Sequence, residues 1–439
     1  MTEILLTHSN HLFSDPKQVR KMMPYPPLQT LQAAALLRDR GHSVALCDVT
    51  LVSSPESEFR AALERERPHI VAVMEDNFNF LTKMCLTRNR ELAFRMAAMA
   101  RETGARTIAN SADATDRSSE YLRAGFDTVI AGELEGALEN LDRLPNGVTR
   151  GGRVTNLDSL PDAAWDLVDM RGYRRAWVEA HGYLSLNLVS SRGCPYRCNW
   201  CAKPVFGSTY HFRSPDRVAR EMLRLKREFG AEHIWFADDI FALSGQWTRE
   251  FADAVQKLGA AVPFKMQSRC DLMTRDTVGA LRRAGCAEVW MGAESGSQKI
   301  LDAMDKGTRV EQIHEARENL RRHGIRVGYF LQFGYPGETW PDIEKTIRMV
   351  RETEPDDIGV SVSYPMPGTR FYERVAEEIG EKENWRDSDD LSMMFRGAYS
   401  TEFYRELAAA LHQEVRGGLP RWDRVTELER MSNRLVVVS

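Results

Sequence analysis

No apolar run in the chain approaches the ~18 residues that cross a bilayer, and the opening Met1-Thr2-Glu3-Ile4-Leu5-Leu6 has no basic stretch ahead of its apolar residues. Neither a membrane span nor a secretory leader is expected, and the cytoplasm is the expected location. Charge of one sign is also scarce. The 59 Lys and Arg against 63 Asp and Glu give a formal net charge of −4, which leaves no basic footprint for nucleic acid or an anionic membrane. Neither G-x-G-x-x-G nor G-x-x-x-x-G-K-[ST] occurs, so no dinucleotide or ATP phosphate cradle is indicated. Cysteine is sparse and odd in number, seven in 439 residues, which does not read as a disulfide framework. Four of the seven, Cys47, Cys85, Cys270 and Cys286, lie in or beside apolar segments and read as small core residues.

The other three are Cys194, Cys198 and Cys201, spaced C-x3-C-x2-C directly after an apolar run. Thiolates are the ligands of iron–sulfur clusters, and three on one loop leave one iron of a four-iron cluster open to a further ligand. A zinc site or a CxxC redox pair is the alternative. Zinc needs a fourth ligand; no second CxxC supplies it, and His211 is an oddly spaced candidate.

Residues 1–145 alternate short apolar runs with helical patterns. Strands are expected at Ile4-Leu5-Leu6, Val44 to Cys47, Ile70 to Val73, Arg106 to Ala109 and Thr128 to Ala131. Helices between them close at Gly41, Pro68 and Gly104. This alternation predicts an α/β, doubly wound, Rossmann-like parallel sheet with a ligand crevice at the strands' carboxyl ends. Those ends carry Thr7-His8-Ser9-Asn10, Glu75 to Phe80, Asn110 to Thr115 and Gly132 to Glu135, which suit a large, mostly uncharged ligand. Residues 146–183 read as a linker, broken by Gly151-Gly152 and Leu160-Pro161-Asp162, yet Trp165, Tyr173 and Trp177 argue against a loose tether. Residues 184–370 repeat the strand–helix alternation six times, the first strand delivering the cysteine loop, as a barrel-like sheet requires. Residues 371–439 are mainly helical, with helices expected at Glu373 to Glu383 and Thr401 to Arg416, and read either as a cap over the barrel mouth or as an appendage on its wall.

The cysteine spacing, with Trp200 just before the third cysteine, resembles the cluster loop of the radical S-adenosylmethionine (SAM) enzymes. The resemblance implies a partial (β/α)6 barrel of TIM-like type, with Cys194, Cys198 and Cys201 holding a [4Fe-4S] cluster whose open iron chelates SAM. It also implies SAM contacts from Trp200, Gln267, Arg269, Glu294 and Gln332, with Asp238 and Asp239 near the adenosine or the substrate. Two of these have bland alternatives: Glu294 and, more strongly, the Asp238-Asp239 pair also read as caps of the helix that follows. The Pro24-Tyr25-Pro26-Pro27-Leu28, Ser111 to Thr115 and Gly132 to Glu135 segments resemble the cobalamin-binding domain of the B12-dependent branch of this family. By that resemblance His8, Ser9, Asn77, Phe78, Asn79, Ser111, Asp113, Thr115, Gly132 and Glu133 contact cobalamin. The D-x-H-x-x-G sequence that supplies a cobalt ligand in many other cobalamin proteins is absent; the Asp76 to Phe80 loop is the candidate for the cobalt's lower face.

The function implied is C-methylation of an unactivated carbon through a 5′-deoxyadenosyl radical and methylcobalamin. The substrate would be a small molecule such as a natural product, lipid or tetrapyrrole, and the electron donor flavodoxin- or ferredoxin-like. Ring formation, ring contraction or hydration with the same cofactors, a radical SAM enzyme whose first domain no longer binds cobalamin, and a non-catalytic metal-loop sensor are the rivals.

Overall fold

A computed structural model describes residues 2–437. The chain forms two compact units, the first from residues up to 195, 203–239 and 384–390, the second from 196–202, 240–383 and 391 onward.

The first unit is built on six parallel strands: β1 (Ile4–Thr7), β2 (Val44–Cys47), β3 (Ile70–Met74), β4 (Arg106–Asn110), β5 (Thr128–Ala131) and β6 (Gly147–Arg150), in the order β2-β1-β3-β4-β5-β6. Side chains alternate across each strand. Leu5, Val71, Val73, Ala109 and Val129 point to one face and pack with Phe59 and Met96 of helices Pro55–Glu66 and Thr87–Glu102. Ile4, Leu6, Ala72, Met74, Ile108 and Ile130 point to the other, against Ala33 to Leu37 of helix Leu28–Asp39. Helices on both faces explain why these strands read as continuous apolar runs. The local stops are those expected from sequence: Gly41 and Gly104 take positive φ just past their helices, where the absence of a Cβ removes the steric cost.

Chain order reverses between β1 and β3, and a doubly wound sheet opens its ligand crevice at such a switch point. The sixth strand is a difference from the sequence reading, which placed 147–150 in the linker. It is an edge strand of Gly-Val-Thr-Arg with alternating exposure, its one large apolar side chain, Val148, being 51% exposed. No apolar run marks it.

The rest of the linker is ordered, with 3-10 turns at Leu157–Ser159 and Trp165–Leu167 and a helix at Met170–His181. Trp165 and Trp177 are fully buried; Trp177 Nε1 donates to Pro24 O at 2.6 Å and its ring lies 5.2 Å from Tyr25. Also in the first unit, β7 (Ser185–Leu188) pairs in parallel with β8 (His233–Phe236) across helix Pro215–Glu228. Residues 384–390 return to this unit late in the chain: Ser388 N donates to Asp15 Oδ2 at 2.8 Å, and Arg90 donates to Asn384 Oδ1 at 2.9 Å.

The second unit carries β9 (Phe264–Ser268), β10 (Cys286–Glu294), β11 (Arg326–Phe333) and β12 (Asp357–Val362), each parallel to the next. Val289, Met291, Val327, Tyr329, Leu331, Ile358 and Val360 are buried on one face. The opposite face carries Trp290 and Phe330, 5.0 Å apart, and a Cβ at Gly328 would lie 2.5 Å from the Trp290 ring. Helices Thr401–Val415 and Trp422–Val437 follow, the first burying Phe403, Leu407 and Leu411 as its periodicity predicted. The expected helix over 373–383 is shorter, running Arg370–Val375 with a 3-10 turn to Glu378. Gly380 and the like charges of Glu377 and Glu381 one helical turn apart disfavour its continuation.

Replacing the buried Trp177 with Ala removes both its packing and its bond to Pro24, and should cost about 3–5 kcal/mol, read as a lowered urea midpoint.

Candidate active site

The ten residues assigned to cobalamin from sequence all lie at the carboxyl ends of β1, β3, β4 and β5, and most of their polar atoms are spent on neighbouring protein groups. Ser9 donates from both N and Oγ to Glu75 Oε1, at 2.7 and 2.6 Å. His8 Nε2 is 3.0 Å from Asp48 Oδ1, and its Nδ1 accepts the Asn10 amide at 3.2 Å. Asn77 ties three segments: its N donates to Gln29 Oε1, its amide donates to Asn110 Oδ1, and its carbonyl oxygen accepts from Ala112 N at 2.7 Å. Asn110 in turn donates to the carbonyls of Ile130 and Gly132. Ser111 caps the next turn by accepting from Ala114 N, and Asn79 does the same for Leu81 N. Thr115 Oγ1 accepts from Gly132 N at 3.1 Å. Asp113 takes a forked Arg90 and the Tyr121 hydroxyl.

Two buried polar atoms of this crevice, Gln29 Nε2 and Glu75 Oε2, have no hydrogen-bond partner. Burial pushes the Glu75 carboxyl up, and Asp76 up to about 6. Phe80 is the one exposed side chain of loop 75–80, at 44%. Phe78 is buried and stacks on Phe206, centroids 5.1 Å apart.

The root of the cysteine loop is held in the first unit by Asp238. Its Oδ1 accepts from Ser190 N, Ser190 Oγ and Ser191 Oγ, at 3.1, 2.6 and 2.5 Å. Burial holds this carboxyl up at about 6 against those bonds. Asp239 forms an ion pair with Lys83. Neither aspartate caps the following helix, whose N-cap is Ser244. Gly193 has φ 76°, and a Cβ there would meet Thr209 O at 2.2 Å, so no other residue fits the turn into Cys194 without a shift. Cys194 O accepts from Lys203 Nζ at 3.0 Å. His211 sits in a two-residue antiparallel pairing with Arg192.

In the second unit, Cys201 N donates to Cys198 O at 3.2 Å, and Asn199 N to Met304 O. Trp200 packs against Ile300, Met304, Tyr335 and Phe371, with its buried Nε1 unpartnered. The three loop thiols are half-buried and in no disulfide, whereas the other four cysteines are buried. Burial pushes Cys47 up to about 12 and Cys270 to about 11, values that keep them inert thiols.

Arg269 braces this loop. It donates to Lys306 O at 2.8 Å and toward Cys198 Sγ at 3.9 Å, pairs with Asp271, and stacks 3.7 Å over the Tyr196 ring. Glu294 sits at a bulge in β10 with φ 59°, a left-handed backbone rare for glutamate. Its Oε1 accepts from the buried Lys306 Nζ at 2.7 Å; the next helix, Gln298–Ala303, is preceded by Ser297, so Glu294 does not cap it. Gln332 is buried and donates to Ser363 Oγ at 3.0 Å, and Gln267 is half-buried at the end of β9. Sequence reasoning missed Lys306, Lys83, Arg192 and Glu135. Of these only Arg192 and Glu135 carried a signal, each lying inside a segment already singled out.

Residues 188–350 match the description of the radical SAM superfamily. This stretch is a radical SAM domain. The domain opens at Leu188, the last residue of β7, and takes in the cysteine loop, Asp238, Gln267, Arg269, Glu294 and Gln332. An uncharacterized methyltransferase of Pyrococcus horikoshii is 28% identical over 269 residues, 57% of each chain. The hopanoid C-3 methylase of Methylococcus capsulatus is 24% identical over 377 residues, 80% of this chain and 69% of that protein. This chain spans about half the length of the curated relatives it matches first. In fold it is similar to the radical SAM methyltransferase TsrM of Kitasatospora setae, solved with cobalamin and a [4Fe-4S] cluster, with a TM-score of 0.69 at 18% identity over 86% of this chain and 78% of that one. Among the described residues no helix is long and apolar enough to cross a membrane.

The turn after β11 yields a pH prediction. Glu338 is buried, accepts from Gly334 N at 2.6 Å through Oε2, and has no partner for Oε1. Burial raises it from 4.5 to about 8. A raised carboxyl favours the fold below its unfolded value and loses that contribution as pH rises through the folded one. Glu338→Gln keeps the acceptor and removes the charge. Its urea midpoint should therefore change less than the wild type's between about pH 5 and about pH 9.

Proposed function

We propose that the chain is a cobalamin-dependent radical SAM enzyme that methylates an unactivated carbon of a small-molecule substrate. The observation that carries the reading is a three-thiol loop leaving the carboxyl end of β7, inside a radical SAM domain that follows a doubly wound sheet with a polar switch-point crevice. The donor set fits the groups required. Three half-buried thiols on one loop, none in a disulfide, suit a four-iron cluster with one iron open to SAM, and the buried Trp200 indole N–H of that loop and the Gln29 amide in the first sheet's crevice are donors with no hydrogen-bond partner. When bound, cluster and cobalamin supply one-electron cleavage of SAM and storage of a methyl group.

The chain's own residues bind and orient. Cys194, Cys198 and Cys201 hold the cluster, Asp238 roots their loop through Ser190 and Ser191, and Arg269 braces it from β9. Glu294, fixed by Lys306, and Gln267 and Gln332 on neighbouring strands are positioned to hold SAM's polar groups. The loops after β1, β3, β4 and β5 would seat cobalamin, and the loop from Asp76 to Phe80, with its exposed Phe80 ring, is the candidate to stand where other cobalamin proteins use a histidine. Methyl transfer is supported by the matched methylases, whose hopanoid and bacteriochlorophyllide substrates also favour an apolar ring scaffold here, while the matched magnesium-protoporphyrin cyclases make ring formation the second reading. A flavodoxin- or ferredoxin-like protein would supply the electron, and the cytoplasm would be the site of action.

The deciding measurement is iron, cobalt and zinc in protein purified without oxygen after expression with cobalamin. About four iron and about one cobalt per chain are expected, and Cys198→Ala should lose the iron and all 5′-deoxyadenosine formation. Transfer of label from methyl-labelled SAM to a candidate substrate then tests methylation. Iron without cobalt would remove the cobalamin part of the proposal, and zinc in place of iron would remove all of it.

A further inference from the structure

Arg192 stands two residues before Cys194 and is 3% exposed. Every polar partner of its guanidinium comes from the first sheet's elements. One amino group lies 3.0 Å from Glu133 Oε2; the other lies 2.6 Å from Glu135 Oε1 and donates to Gln32 Oε1 at 3.0 Å. The Glu135 contact is an ion pair by distance but lacks hydrogen-bond alignment, and neither oxygen of that buried carboxylate has another partner. The cation also lies 5.5 Å from the Phe78 centroid and 5.3 Å from that of Phe206. Phe78 belongs to the loop after β3, whereas Phe206 follows the last loop cysteine by five residues.

We propose that Arg192 is a positioning residue, through which the carboxyl end of β5 sets the placement of Cys194. Between the two residues lies only Gly193, at φ 76° with Thr209 O 2.2 Å from where a Cβ would stand. A displacement of the Arg192 backbone is therefore passed to the Cys194 thiol across a single residue. A guanidinium suits the task because its planar fork engages two carboxylates in fixed directions. Two carboxylates facing one buried cation leave an excess negative charge beside the loop, so the group is set for orientation more than for stability. The proposal rests on a cluster at Cys194 and is independent of cobalamin.

The test uses the full chain, reconstituted anaerobically with iron and sulfide, and two variants. Glu135→Gln leaves the Arg192–Glu133 pair intact, so the fold is retained even if Arg192 itself cannot be replaced; Arg192→Lys keeps the charge and loses the fork. Both should bind wild-type iron while altering the electron paramagnetic resonance spectrum and midpoint potential of the reduced cluster. They should also slow 5′-deoxyadenosine formation roughly tenfold, the scale of coupling mutations away from a site. Wild-type spectra, potential and rate in both variants would overturn the proposal, as would losses of iron that merely track unfolding. A wild-type chain that takes up no iron would instead sink the cluster reading itself, a result distinguishable from either.

Discussion

A guanidinium taken out of water costs several kcal/mol unless carboxylates meet it in good geometry, and the first unit is arranged around one such case. Arg192 can be buried only if β5 ends where Glu133 and Glu135 reach it and Phe78 and Phe206 close over it. The loops of the crevice and the entry to the cysteine loop must therefore be in place together. Asp238 imposes the same demand from β8, since its buried carboxylate is satisfied by the two serines directly ahead of Arg192. The metal loop thus inherits its position from a polar network more than from its own short sequence.

The strand ends separate into groups that hold loops and groups that keep atoms free. His8, Asn77, Ser111, Asp113 and Asp238 use their polar atoms internally, which rigidifies a crevice at the expense of direct ligand contacts. Gln29, Glu75 and Trp200 keep an unpartnered buried atom, and Phe80 an exposed ring. The left-handed backbone at Glu294 belongs with the second group, since such a conformation persists only where its surroundings over-determine it, here through Lys306.

Much of this was legible from sequence because parallel strands covered on both faces are apolar runs, and because loops at their carboxyl ends concentrate the polar residues. That logic located β1 to β5, the strands of the radical SAM domain and the cysteine loop. It failed at β6, where an edge strand needs no apolar run, and at 376–383, where charged residues with good helix propensity meet a glycine and one another. It located the crevice residues without their partners. Asp113 with Arg90 and Asp238 with Ser190 are pairings between segments 23 and 48 residues apart, and nothing in local spacing encodes such distances. Lys306 was invisible for the same reason, being one lysine among many until the bulge at Glu294 turns toward it.

The return of residues 384–390 to the first unit has a consequence for how the protein is made. Ser388 against Asp15 and Asn384 against Arg90 are contacts that the growing chain cannot form until residues 384–390 have left the ribosome. Non-local contacts of this kind delay the completion of a fold. During synthesis the first sheet is thus assembled early and sealed last, and a fragment cut at the end of the linker would keep all six of its strands yet lack the segment that meets Asp15 and Arg90.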